Sequence, residues 1–127
     1  VYCRACPLFV PLAEEGWTTG DVPETVARTY LGDMVARGID TLVLGCTHYP
    51  LLRDTIARVA GPAVTLVDSA EETAAVVEQS LDGAGLRRCA GGACAHRFLV
   101  SDGPARFAEV GRRFLGDTLE AVAWVDF

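Results

Sequence analysis

Three side chains able to move a proton or hold an anion stand almost side by side: Cys46, Thr47 and His48. They follow the buried-strand run Thr41-Leu42-Val43-Leu44 and Gly45, and precede Pro50, which suits the first turn of a helix. A thiol at such a strand-to-helix elbow lies in the positive end of the helix dipole, which stabilises the thiolate and makes it a nucleophile or a base. His48 can exchange a proton with it, and Thr47 with the elbow amides can hold a carboxylate. A single cysteine is more often a buried small hydrophobe, and a lone histidine more often structural. Thiol, hydroxyl and imidazole arriving together at one elbow are what point to chemistry.

A second constellation competes with the first. Cys3 and Cys6 form a C-x-x-C, and Cys89, Cys94 and His96 have spacings that a zinc site can use. The first pair, however, lies in an expected strand, where neighbouring positions point to opposite faces, so no metal site is expected. Five cysteines is an odd number, which disfavours a complete set of internal disulfides. Glu14 and Glu15 sit in an expected loop after a strand end, a favoured place for function. Glu71 and Glu72 read as helix-dipole partners, and Trp17 and Trp124 as packing residues.

The elements that must position these groups follow from periodicity. Val1 to Leu12 reads as a strand that unravels at Pro7 and Pro11. Asp21 reads as an N-cap with Glu24 three residues on, and Val22, Val26, Tyr30, Met34 and Val35 fall at helical spacing up to about Arg37 and the stop at Gly38. The central strand, buried on both faces, and its elbow come next. A helix with Leu51, Leu52, Ile56 and Val59 inward ends near Gly61-Pro62. Ala63 to Val67 reads as a second buried strand, and Asp68-Ser69 as the cap of a helix to about Leu81. Asp82 to Ala95 reads as a linker or loop. Arg97 to Val100 is a strand, Ser101 to Pro104 caps a helix with Phe107, Val110, Phe114 and Leu115 inward, and Ala121 to Val125 closes as a strand. Such alternation predicts an α/β fold with a parallel sheet flanked by helices and right-handed crossovers. Ligands of such sheets bind beyond the strands' carboxyl ends.

Composition narrows the classes. The 127 residues are half hydrophobic and 22% charged, which excludes intrinsic disorder. No apolar run approaches the roughly 18 residues that span a bilayer, and nothing reads as a signal peptide, so a soluble cytoplasmic protein is the default. A formal net charge of −6 makes nucleic acid and anionic membrane poor partners. The chain opens on Val1 in what reads as mid-strand, so a fragment or processed product is expected.

Several strings together identify a family. LGCTHYPLL around the elbow, ACPLFVPLAEEG at residues 5–16, VTLVDSAEETA at 64–74 and HRFLVSDGPARF at 96–107 resemble segments of the glutamate racemases, within the aspartate/glutamate racemase family. The resemblance covers nearly the whole chain but only the C-terminal half or so of a family member. A histidine after Cys-Thr is similar to the glutamate enzymes; the aspartate enzymes tend to carry glutamate there. The resemblance implies about half of a two-domain pseudo-symmetric fold. Residues 1–81 would be part of the second domain, 82–95 a linker or loop, and 96–127 a segment that returns to complete the first domain.

It also implies cofactor-independent interconversion of L- and D-glutamate by two cysteine bases, supplying D-glutamate for peptidoglycan. Cys46 would be one base, His48 its acid-base partner, Thr47 a substrate contact and Glu14, rather than Glu15, the acidic residue from the upstream segment. The physics agrees. An α-proton beside a carboxylate is weakly acidic, so a site must neutralise that carboxylate and present a base on each face. The family's other cysteine motif and its Asp-Ser-Gly motif do not occur here, so the chain is expected to hold half the site and to be inactive alone. Apolar surface left by a missing domain would favour a homodimer or domain swapping. The alternative is a non-catalytic module that binds a dicarboxylate or a partner without turnover.

Overall fold

The structure, a computed structural model, describes residues 1–88, 95–119 and 121–126. It divides into two compact units, Val1–Arg87 and Arg88–Phe127. In the first, helix α1 (Phe9–Glu15) and helix α2 (Asp21–Ala36) lead to strand β1 (Thr41–Leu44). A 3-10 turn (Tyr49–Leu52) passes into α3 (Arg53–Ala60), then β2 (Thr65–Asp68) and α4 (Ser69–Gly83). β1 and β2 pair in parallel, with Thr41 opposite Thr65 and Leu44 opposite Asp68. This is the expected α/β architecture with parallel strands.

The opening segment departs from expectation. Residues 1–6 form no regular element, and Phe9–Glu15 is helix rather than the tail of a strand and a loop. Pro11 is the reason that both readings look plausible. At the third helical position its missing N–H is one of the four that an α-helix leaves unbonded anyway. Gly16, at φ 76°, then ends the helix, its amide bonding to Ala13.

The core of this unit is built on Phe9, Leu31, Leu44, Leu52 and Ile56, all buried. α2 buries Pro23, Ala27, Leu31 and Met34, so its inner face is rotated from the expected one and Val22 is half exposed. It is capped by Gly20 backbone rather than by Asp21, which sits inside the first turn with Glu24. β1 alternates: Leu42 and Leu44 are buried and Val43 is 64% exposed. The expectation of a strand covered on both faces is therefore corrected, because α2 and α3 pack against one face and the described residues leave the other open. In β2 only Asp68 is buried. Asp68 caps α4, accepting from the amides of Ala70 (2.8 Å) and Glu71 (3.0 Å), with Arg53 at 3.4 Å.

In the second unit β3 (Phe98–Val100) pairs in parallel with β4 (Val122–Trp124), joined through α5 (Pro104–Leu115) and a 3-10 turn (Gly116–Thr118). Phe107, Phe114 and Leu115 are exposed rather than inward. Among the described residues of this unit Leu119 alone is a buried hydrophobic residue, so these side chains have little core to enter. Trp17 and Trp124 are exposed too, although the Trp124 indole donates to the Ser101 carbonyl at 3.0 Å. Of the Asp82–Ala95 stretch, 82 and 83 finish α4, and 89–94 lie outside the described residues. No helix among the described residues is long and apolar enough to cross a membrane.

Candidate active site at the strand-to-helix elbow

Gly45, Cys46, Thr47 and His48 form the turn that carries the chain off the end of β1. The following helix does not begin at Pro50 as periodicity predicts. Tyr49–Leu52 is a 3-10 turn, closed by Tyr49 N–H on the Cys46 carbonyl and Leu51 N–H on the His48 carbonyl, both 3.1 Å, and α3 starts only at Arg53. The positive end of α3 thus stands a turn beyond Cys46. Pro50 still fits, because a first-turn position needs no N–H.

Packing plants the elbow. Leu52 and Ile56 are buried in the core just beyond it. The Tyr49 ring meets Phe9 edge-on, centroids 5.2 Å apart at 86°, and Phe9 meets Tyr30 likewise at 5.6 Å and 78°. Such pairs contribute about 0.5–1.5 kcal/mol beyond the area they bury. The Tyr49 hydroxyl also reaches the Cys6 carbonyl at 3.4 Å. Burial pushes the Tyr49 phenol above its ordinary value, with the Cys6 and Cys46 thiols acting in the same direction. One aromatic cluster therefore joins α1, α2 and the elbow.

That cluster sets α1 beside the elbow, and the last turn of α1 carries Glu14. Glu14 Oε1 stands 3.3 Å from His48 Nε2. On the other side of the ring, His48 Nδ1 and Thr47 Oγ1 are 3.4 Å apart, the direction of that contact depending on the tautomer. A carboxylate at one ring nitrogen and a hydroxyl at the other hold an imidazole in a defined orientation. Glu15 is exposed at the end of the same helix. Cys46 is a free thiol of intermediate exposure in the same turn.

A cleft of about 740 Å³ runs along β1, bounded by Cys3, Arg4, Cys6, Gly45 and Tyr49 among others. Its walls are mostly apolar, and Glu14, Cys46, Thr47 and His48 do not line it. Cys6 is buried with its thiol 3.7 Å from the Arg4 carbonyl, while Cys3 is exposed. Burial pushes the Cys6 thiol above its ordinary value, and the Arg4 guanidinium pulls weakly the other way. Among the described residues no group of three His, Cys, Asp or Glu side chains is arranged to hold a metal. Cys89 and Cys94, the other part of the zinc reading, lie outside the described residues.

Two contributors escape sequence reasoning. Tyr49 stands inside the motif but reads as an ordinary aromatic. Thr55 is a polar residue within the apolar pattern of α3, and it is buried. A hydroxyl at a position where helical periodicity demands an apolar side chain was the signal available.

No family model matches the chain. Individual relatives do. A glutamate racemase of Geobacter metallireducens is 56% identical over 119 residues, covering 94% of this chain and 44% of that protein. One of Chlorobaculum parvum is 45% identical over 122 residues, covering 96% and 45%. The crystal structure of the Francisella tularensis glutamate racemase in complex with D-glutamate superposes with a TM-score of 0.84 at 33% identity, over 99% of this chain and 47% of that one. The Thermus thermophilus glutamate racemase in complex with β-chloro-D-alanine gives a TM-score of 0.83 at 43% identity, over 98% and 47%. The chain spans a little under half the length of the curated relatives it matches. By sequence and by fold the chain is similar to the glutamate racemases, over a stretch consistent with the C-terminal portion of one.

Proposed function

We propose that this chain is one cysteine half of a cofactor-independent glutamate racemase that supplies D-glutamate for peptidoglycan in the cytoplasm. The observation that carries the reading is the Glu14–His48 contact at 3.3 Å beside the Cys46 turn, in a chain so similar to glutamate racemases. Cys46 acts at one face of the substrate α-carbon, as thiolate when it removes the α-proton and as thiol when it returns one. His48 exchanges that proton with Cys46. Glu14 holds the imidazole in place, and Thr47 contacts the substrate carboxylate. A second thiol from outside this chain serves the opposite face, so each proton removed on one side is matched by one delivered on the other. No nucleic acid or membrane partner enters this scheme.

The test is racemisation of glutamate by the full-length protein, followed by loss of optical activity from each enantiomer. Both Cys46→Ala and His48→Ala should impair turnover from L- and from D-glutamate, and the 127-residue chain alone should show none. Undiminished turnover in both variants overturns the assignment. A module that binds a dicarboxylate or a partner without turnover is the second reading. Glutamate binding by a full-length protein that lacks racemase activity would decide for it.

A further inference from the structure

We propose that Thr55 is the positioning residue that holds Glu14 against His48; the inference rests on the racemase reading only for the importance of that pair. α1 has seven residues and is about 10 Å long at 1.5 Å per residue, and Glu14 stands at its far end. The aromatic contact to Tyr49 grips the near end, at Phe9. Ala13, 0% exposed, packs the far turn into the core beside Glu14, so what Glu14 still needs is an anchor for the backbone that ends the helix.

Thr55 supplies it. Its side chain is 1% exposed, and its hydroxyl donates to the Thr18 carbonyl at 2.7 Å across 37 residues of sequence. Thr18 is tied closely to the end of α1, because Gly16 N–H bonds to Ala13 at 3.1 Å and Trp17 N–H to Leu12 at 2.8 Å. Thr55 itself belongs to α3, and Leu52, buried just ahead of that helix, also plants the elbow. The bond thus links the backbone just after Glu14 to the helix just after His48. The same Thr55 oxygen accepts from Arg58 Nη2 at 3.0 Å, and Arg58 Nε reaches Glu24 of α2 at 2.9 Å. Donor and acceptor capacities are both used, so the hydroxyl has one orientation, and a buried donor of this kind is costly to leave unpaired.

The experiment is proton NMR of the 127-residue chain, reading the NOE between the His48 ring and the Glu14 side-chain methylenes. Thr55→Val keeps the shape and removes the hydroxyl. It should lose that NOE while the Phe9–Tyr49 NOE persists, and Thr55→Ser, which restores the hydroxyl, should keep both. An unchanged His48–Glu14 NOE in Thr55→Val overturns the proposal. Should Thr55→Val fail to fold, Thr55→Ser decides: retention of the NOE without the methyl group supports the role, and its loss overturns it. No substrate or turnover enters this measurement, so failure of the racemase reading is recognised separately in the full-length assay.

Discussion

At the scale of single residues, the side chains that matter most are polar groups given one arrangement by burial. Asp68 is buried at the end of β2 and accepts two amides of α4. Asp68→Ala should therefore cost about 1–2 kcal/mol, the upper part of the range for a lost N-cap, seen as a lower urea midpoint. An unchanged midpoint would show that water replaces the cap. Cys6 makes a prediction about pH. Its folded-state value is raised by burial, so the folded chain binds a proton more tightly than the unfolded one. The stability this represents is fully present below the ordinary thiol value of 9.0 and is lost as pH rises through the raised one. Urea midpoints followed upward from neutral pH should fall, and fall less in Cys6→Ala. Tyr49, shifted in the same direction from 10.0, should leave a residual decline at still higher pH.

At the scale of elements, the site depends on where helices stop. α1, α2 and α3 are each followed by a glycine with positive φ: Gly16 at 76°, Gly38 at 74° and Gly61 at 86°. These stops turn the chain back so that α1 meets the elbow and α3 returns to β2. A Cβ added at Gly61 would meet nothing within 4 Å, so the penalty there is conformational alone. Gly61→Ala should destabilise by about 1–3 kcal/mol, the cost of holding an L-residue at φ 86° and ψ 167°, a region essentially reserved to glycine, with no change in native secondary structure. Thermal unfolding with far-UV circular dichroism checks both parts. The stops at Gly38 and Gly61 were legible in the sequence because glycine's conformational freedom is a property of the residue itself, whereas Gly16 read as part of a loop because the helix before it was not expected. The face of α2 was legible in part. Of the expected stripe, Met34 is buried and Val26 and Tyr30 pack against the core, but Val22 is exposed, and Pro23, Ala27 and Leu31 are the other residues that α2 buries.

At the scale of the whole molecule, the core that organises the elbow is drawn entirely from Val1–Arg87. Eighty-seven residues exceed the size at which many domains fold alone. A chain ending at Arg87 should therefore unfold cooperatively and keep the Phe9–Tyr49 NOE; a non-cooperative melt would show that this unit depends on the remainder. Among the described residues each sheet has two strands, and Val43 is exposed on the open face of β1. Two-stranded sheets are marginal by themselves, so helix packing on one face must supply most of the stability of β1.

What the sequence determined by itself was local. The alternation of strand and helix, the Cys46-Thr47-His48 turn at a strand end, the Asp68 cap and the glycine stops all depend on residues within a few positions of one another. The motif also named the family. What the tertiary structure alone decided was long-range: which face of each element is covered, that α1 is a helix bringing Glu14 to 3.3 Å from His48, and that Thr55 reaches Thr18 across 37 residues. Periodicity describes a face but not its neighbour. Glu14 and His48 meet only because packing brings two distant segments within hydrogen-bonding distance, with the aromatic cluster and the buried hydroxyl both joining those segments.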